Sequence, residues 1–592
     1  MRQLLISLGI ILSTPLFSQW VIQPIAPEAS NARTEKVNEL PAIGLPLWDD
    51  FSTSSDLPSA DFWEFSDGIY VNATLGLNAP SYKVATFDGI NAAGQLYDES
   101  DLYPGLTDQL ISRRIDLSSY TGDNSLYLSF FWEMGGYGEV PDNSGDSLRL
   151  QFLNSDSVWV TQWKRQATQV SVTDAFSQVI LQLTADYRHE DFRFKFESFG
   201  SQQGPFDTWH VDYVYLNNGR SAGDIYYLDR AFTGTLSQLI EPYTEMPAKH
   251  FFLDPSKYIT NQQFSGSNQD DDVYNFIIYY ELHNTNTDEK FTFTDPTPAF
   301  ASGESKSVIL NDVPVIPAQA TPPDSIVFIT TIYSDFIDGT SPVNYNVNDT
   351  LKLRTNLYDY YAYDDGTAEF TAGVRQNGTV AMRYVVETKD TLTHIDIHFP
   401  STAPSSVGKA MTFKVWKDLD EDPVTTKSHT ITASGKNEFT RITLNPAIVV
   451  EDTIFIGYTQ KSADYVGIGL DRSNVAANQH IFFKIVSDWQ QNEELNGVLM
   501  MRAVFEEGAN VNVVVGTKDP LADLTIYPNP TNGFLSIKGN YQSMKVLSLD
   551  GREHFSAIQK DFYDLSFLPT GLYLLQVLKP DQTTAHFKFV KK

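Results

Sequence analysis

The sequence predicts an all-β protein: tandem β-sandwich domains of jelly-roll and immunoglobulin-like type, followed by a small C-terminal β-sandwich. Three observations predict it. Phe, Tyr and Trp make up 13% of the 592 residues, and 35 Gly and 29 Pro supply turns, the composition of short strands separated by breakers. No long stretch repeats its apolar residues every 3.6 positions, whereas period-2 alternation recurs. Leu126, Leu128, Phe130 and Trp132 fall on one strand face, as do Leu148, Leu150 and Phe152. Phe192, Phe194 and Phe196 do the same, with Arg193, Lys195 and Glu197 opposite. The length, finally, exceeds what a single hydrophobic core fills, so several domains are expected.

Taken in order, the chain opens with Met1-Arg2 and an apolar run from Leu4 to Leu16, with a cleavage point after Ser18 or Gln19. That layout predicts a secretory signal peptide over 1–19, too short for a membrane span. No later stretch reaches the 18 or so apolar residues of a transmembrane helix. Residues 41–219 start with Leu47-Trp48-Asp49-Asp50-Phe51 and close with Asp207-Thr208-Trp209-His210-Val211-Asp212-Tyr213-Val214-Tyr215-Leu216. With Ile111 to Leu117 and the strand Leu126 to Trp132 between them, these ends resemble the jelly-roll modules of the MAM and cleaved-adhesin type. The resemblance implies a fold and no ligand site, because the cysteines of animal MAM domains are missing here.

Residues 224–355 hold strand-like Tyr274 to His283, Val308 to Leu310 and Ile326 to Tyr333, separated by connectors such as Pro314 to Pro323. They predict an immunoglobulin- or fibronectin-like sandwich acting as a spacer. Residues 358–516 begin with Ala362-Tyr363-Asp364-Asp365-Gly366-Thr367-Ala368-Glu369. This opening is similar to one in many secreted Bacteroidetes proteins and implies a second jelly roll.

The tail, 521–592, is the most informative segment. Pro528 and Pro530 fix φ and remove two backbone donors, so Tyr527-Pro528-Asn529-Pro530-Thr531-Asn532-Gly533 is a turn and not a central strand. Short strands follow at Phe534 to Ile537 and Met544 to Leu549, the latter running into Asp550-Gly551, whose positive φ values suit a tight hairpin. Leu572 to Leu578 is nearly continuous apolar sequence, and Phe587 and Phe589 alternate with others before Lys591 and Lys592. From Leu521 onward there are 8 Lys+Arg and 6 Asp+Glu; subtracting from totals of 42 and 74 leaves 34 and 68 before it. A tail of +2 on a body of −34 is a separate module. These blocks, in this order at the extreme C-terminus, resemble the type A C-terminal sorting domain of the type IX secretion system of Bacteroidetes. That resemblance implies export across the outer membrane. Its sorting residues would be Pro528, Asn529, Pro530, Gly533, Asp550, Gly551, Gly571, Tyr573, Lys588, Lys591 and Lys592, its partners the translocon and sortase. The mature protein would be released or coupled to surface lipopolysaccharide.

Charge and cysteine content narrow the function. A net charge of −32 argues against nucleic acid or an anionic membrane as partner, since neutralising phosphates requires clustered Lys and Arg. With no cysteine, the chain has no disulfide, thiolate nucleophile, Cys-ligated metal or lipid-modified Cys. His-Glu-x-x-His, Gly-x-Ser-x-Gly, phosphate-binding glycine loops and the dinucleotide fingerprint are all missing. Dispersed carboxylate pairs leave no motif, so a hydrolase stays open.

The alternating carboxylates Asp418, Asp420 and Asp422 have the i, i+2, i+4 spacing of calcium loops, although Pro423 stands where an EF-hand has glycine; a solvated hairpin loop is the plainer reading. Asp270-Asp271-Asp272, Asp364 with Asp365 and Glu369, and Asp142 with Asp146 are further acidic clusters. His394, Asp396 and His398 share one strand face, nearly 7 Å apart in steps of two, which predicts the wet side of a half-buried strand in preference to a transition-metal set. Asp followed by Ser or Thr and an apolar residue, at Ser147, Ser157, Ser325, Thr350, Thr391 and Thr453, resembles a Bacteroidetes O-glycosylation acceptor. The leading expectation is a secreted or surface binding protein for a glycan or protein ligand, with Trp132, Trp159, Trp163 and Trp209 as candidate sugar-stacking residues. A self-assembling surface component and a hydrolase are the alternatives.

Overall fold

The computed structural model describes residues 20–25, 41–92, 95–98, 103–167, 176–204, 206–334, 339–340, 342–402, 405–432, 437–485, 488–505, 525–527, 529–538, 541–548, 552–558, 560, 562–578 and 584–592. The predicted signal peptide and the sorting residues Pro528, Asp550 and Gly551 lie outside them. The chain divides into two compact units, Met1–Ala509 and Asn510–Lys592. It is an all-β protein; among the described residues the one α-helix is Ala248–Phe251.

The first strand, β1 (Trp20–Pro24), is followed by an antiparallel sandwich made from β2 (Leu47–Asp49), β3 (Trp63–Asp67), β4 (Ile69–Asn72), β5 (Val84–Phe87), β6 (Gly105–Ser112) and β7 (Tyr127–Met134). It is completed by β8 (Ser147–Leu153), β9 (Trp159–Gln166), β10 (Ser177–Gln182), β11 (Phe194–Gly200) and β12 (Trp209–Asn217). One sheet runs β10-β7-β12-β5-β4 with β2 beside β12, and the facing sheet runs β3-β6-β11-β8-β9. The alternating residues meet between them: Leu128 and Phe130 from β7, Leu148, Leu150 and Phe152 from β8, and Phe194 and Phe196 from β11 are all fully buried in one cluster. Each such side chain contributes roughly 1.5–3 kcal/mol by leaving water.

All nine residues of β12 are buried, because both of its faces are covered. Trp209, Val211, Val214 and Leu216 join the sandwich core. On the other face Tyr213 and Tyr215 pack with Trp48, Tyr227 and Tyr345 in a second aromatic cluster. Asn348 Nδ2 also reaches Asp50 Oδ2 at 2.9 Å. The outer face of this sheet is therefore sealed by later chain.

Next come a three-stranded sheet, Arg230–Phe232, Gln263–Asn268 and Ser305–Ile309, and a four-stranded one ordered Lys290–Phe300, Tyr274–Asn284, Ile326–Ser334, Thr350–Leu357. The last part of this unit is built on two long paired strands, Thr379–His398 and Phe439–Gln460, in an eight-stranded sheet. Beside it a four-stranded sheet places β1 against Phe370–Val374, with Trp20 opposite Val374. One apolar cluster contains Trp20, Phe264, Phe276 and Phe328 together with Val380, Phe413 and Ile456.

Among its described residues the C-terminal unit has two sheets. Thr525–Tyr527, Phe534–Lys538 and Tyr563–Asp564 form one; Glu553–Ile558, Ser543–Leu547, Gly571–Leu578 and Thr584–Lys591 form the other. Leu535, Val546, Leu575, Val577 and Phe589 are its core. Ser543–Leu547 and Glu553–Ile558 pair antiparallel, and Ser548 N–H donates to Arg552 O at 2.9 Å. Tyr573 is buried, donates to Pro569 O at 2.9 Å and stacks on Phe589. The Asn529 carboxamide behaves as a piece of strand, its Nδ2 donating to Lys588 O at 2.8 Å and its Oδ1 accepting Val590 N–H at 2.9 Å. Thr531 then pairs with Lys591, accepting Lys592 N–H at 2.9 Å. Gly533 has φ +139°, and a Cβ there would stand 2.5 Å from Ser566 Oγ, which explains glycine after the proline turn. Lys588 is exposed, Lys591 is buried, and Gly571 opens the strand that follows.

Candidate functional site

A polar cleft of about 350 Å³ opens between the β4–β5 loop, the three-stranded sheet and the segments around Glu369 and Arg472. The loop lies outside the strands; Tyr137 N–H donates to Leu75 O at 2.8 Å, and side chains hold it at other points. Asn72, the last residue of β4, accepts the N–H groups of Thr74 and Leu75 on Oδ1 at 3.2 and 2.8 Å. Glu133 of β7 accepts Leu77 N–H at 3.0 Å, and Asp212 of β12 accepts Ser81 N–H at 3.0 Å. Asp212 reaches the loop because β12 bulges there, with Tyr213 in a left-handed conformation at φ +54°.

Behind the loop lies a buried polar chain. Asn72 Nδ2 donates to Thr86 Oγ1 at 2.7 Å, Thr86 Oγ1 meets His210 Nδ1 at 2.9 Å, and His210 Nε2 meets Gly135 O at 3.2 Å. This order assigns the imidazole proton to Nε2. Burial pushes His210 down to about 4 and Glu133 up to about 8. Both are neutral at pH 7, as a dry environment demands. Gly136, at φ +56°, passes under the loop; a Cβ there would stand 2.3 Å from Leu75 O and 2.7 Å from His210 Nε2.

On the cleft itself, Tyr82 and Tyr137 supply aromatic faces, Gln263 and Ser265 supply an amide and a hydroxyl, and Glu369 and Arg472 supply charge. Arg472 N–H donates to Glu369 Oε2 at 2.8 Å, and its guanidinium Nη1 donates to Tyr137 O at 3.1 Å. The guanidinium stands over the rings of Tyr137 and Phe370, at 5.7 and 5.2 Å from their centroids. Burial, and then the Asp365 carboxylate, push Glu369 up to about 7. Asp365 in turn accepts Ser473 Oγ–H at 2.9 Å; of the acidic cluster named from the sequence, Glu369 is the member that lines the cleft.

The other sequence-named residues are placed as follows. Asp364 is paired with Arg502 at 2.6 Å, and Asp270 with Arg230. Asp418, Asp420 and Asp422 are exposed in the turn between Ala410–Trp416 and Thr425–Thr430, where Asp420 N–H donates to Asp418 Oδ1 at 2.9 Å. Among the described residues, the acid and histidine side chains whose ligand atoms converge within 4.8 Å are Asp142, Asp146 and Asp207. Burial and Asp207 raise the Asp146 carboxyl well above the usual range.

Of His394, Asp396 and His398, expected on the wet side of the strand, Asp396 and His398 are buried and His394 is half-buried. Asp396 and His398 are 7% and 3% exposed, Arg441 grips Asp396 through two hydrogen bonds of 2.9 and 2.7 Å, and His398 Nδ1 meets Glu438 O at 2.8 Å. Trp132 and Trp209 are buried; Trp163 packs on Phe130 and Trp132, and Trp159 lies under Lys195 Nζ at 4.9 Å. Ser147 is buried as the first residue of β8, so the acceptor pattern there faces no solvent. Tyr137, missed by the sequence reading, is 40% exposed on the cleft. Its signal was an aromatic set among glycines, Gly135-Gly136-Tyr137-Gly138; Arg472 carried none.

Comparison with solved structures gives remote likenesses. The CBM22-1–CBM22-2 tandem domain of Paenibacillus barcinonensis Xyn10C matches 55% of this chain over 97% of its own, at 9% identity and TM-score 0.19. Bacteroides uniformis β-glucuronidase matches 47% over 29% of its own length, at 12% identity and TM-score 0.19. The C-terminal family 22 carbohydrate-binding module of Clostridium thermocellum Xyn10B matches 28% over 99%, at 10% identity and TM-score 0.13. Scores this low carry no weight for function. No curated protein matches the chain. No helix among the described residues is long and apolar enough to cross a membrane. Residues 525–592 match the family described as "Secretion system C-terminal sorting domain"; through that domain the protein engages the type IX secretion machinery and is secreted or placed at the outer cell surface.

Proposed function

We propose that this exported protein is a binding protein whose ligand is a glycan segment held in the β4–β5 cleft. The carrying observation is the lining. Two tyrosine faces, one guanidinium and a set of Ser, Thr, Asn and Gln groups converge on about 350 Å³. Sugar hydroxyls both donate and accept, and sugar ring faces stack on aromatics, so this mixture suits a saccharide better than an apolar molecule. Tyr137 is ordered for stacking because its backbone carbonyl and its ring are both engaged by Arg472. Binding is favoured over hydrolysis because Glu369 is the one carboxylate among the described lining residues, whereas glycoside cleavage uses two flanking carboxyl groups.

The test is a glycan array with the full chain, followed by calorimetry on the best hit. Arg472→Ala and Tyr137→Ala are each expected to weaken binding about tenfold or more, the loss of roughly 1.4 kcal/mol or more that a buried anchor contributes. An array with no signal above background overturns the reading. Appearance of shortened sugars by mass spectrometry would make the protein a hydrolase.

A further inference from the structure

A second site belongs to the first sandwich and shares no residue with the cleft lining. Asp142 and Asp146 come from the segment leading into β8, and Asp207 from the segment leading into β12. One carboxylate oxygen from each lies within 4.8 Å of the other two. Carboxylates this close repel, so the cluster must hold a proton or a cation, and among the described residues no Lys, Arg or His forms an ion pair with any of the three.

The second observation concerns Asp146 alone. The residue is 1% exposed, and its Oδ2 is satisfied by Asn143 N–H at 2.7 Å. Its Oδ1 is sealed from solvent and receives no N–H or hydroxyl donor of the fold, the Asp207 carboxyl being the group that Asp146 meets. A buried carboxylate oxygen without a donor costs about 1–3 kcal/mol or more, so this one points to a missing partner. Asp207, 9% exposed, uses Oδ2 to accept Ser201 N–H at 2.7 Å.

We propose that Asp142, Asp146 and Asp207 bind one calcium ion that ties the β7–β8 segment to the approach of β12. The ligands are all hard oxygens. Calcium–oxygen distances of about 2.3–2.6 Å allow ligand oxygens up to about 5 Å apart on one ion, and its six to eight positions leave room for backbone carbonyls and water. The tied segment follows Tyr137, and a Cβ at Gly138 would stand 2.5 Å from Thr208 Oγ1, so the two segments already touch beside the ion position. The proposal does not depend on what the cleft binds.

The experiment uses the full chain stripped with a chelator, followed by thermal unfolding and titration calorimetry with calcium or magnesium chloride. Calcium is expected to raise Tm by several degrees with a stoichiometry near one, and magnesium to do much less. Asp142→Asn, at an exposed side chain, should leave the chelated Tm within a degree or two and remove the calcium shift; Asp207→Asn should remove it too. Asp420→Ala should keep it. Absence of heat and Tm shift at millimolar calcium overturns the site, since a shared proton between the carboxyls would then account for the cluster. So does a shift that survives both Asn variants, one lost only in Asp420→Ala, or an equal response to magnesium.

Discussion

At the scale of single residues, burial of polar groups behind the cleft sets up opposed pH dependences. Glu133 titrates near 8 in the folded protein and near 4.5 when unfolded. Between those values the folded state holds the extra proton, so stability falls as pH rises through that window. His210 does the reverse: its folded value near 4 lies below 6.5, the unfolded chain holds the extra proton, and stability falls as pH drops from about 6.5 to 4. Glu133→Gln keeps an acceptor for Leu77 N–H and deletes the titration. Denaturant melts from pH 5 to 8 should show the slope of stability against pH become more positive by up to about 1.4 kcal/mol per unit. An unchanged slope would mean that Glu133 is ionised in the fold. None of this was legible in the sequence, where Glu133 and His210 look like ordinary strand residues; their burial follows from which strands pair.

At the scale of elements, period-2 alternation located β7, β8 and β11, because a side chain's face is a local property of an extended backbone. It failed on Thr379–His398. There Asp396 and His398 are buried and His394 is half-buried, Arg441 answering Asp396 from the neighbouring strand Phe439–Gln460. A half-exposed arginine covers the Asp396 carboxylate on the face opposite the core, and alternation alone cannot reveal that partner. In the tail, Asn529 was legible as a turn residue, yet its role as a two-bond mimic of a strand edge needed the position of Thr584–Lys591. Asn529→Ala is expected to destabilise the tail unit by about 1–2 kcal/mol, read as a shifted midpoint in denaturant melts of the isolated 521–592 fragment beside its wild-type counterpart. A shift under half of that would show that the amide bonds are exchanged for water without loss.

At the scale of the whole molecule, two assignments of quite different origin meet. Export rests on the C-terminal unit, whose residues 525–592 match a sorting domain. Deleting 521–592 should leave the protein inside the cell envelope and essentially absent from the medium and the outer surface, checked by immunoblotting the fractions; unchanged export would remove that assignment. The proposed binding rests on the first unit, where later chain closes over the first sandwich: Tyr345 and Asn348 cover the outer face of β12, and Glu369 and Arg472 complete the cleft.

By itself the sequence determined the β class, the acidic body and the sorting tail, because each is written in neighbouring residues: alternation, composition, and turn chemistry such as that around Asn529 and Gly533. Only the tertiary structure decided which polar groups act together. Asp207 joins Asp142 and Asp146, and Arg472 joins Tyr137, through strand order. Long-range pairing of that kind depends on the summed burial of the core, and no local pattern of the chain encodes it.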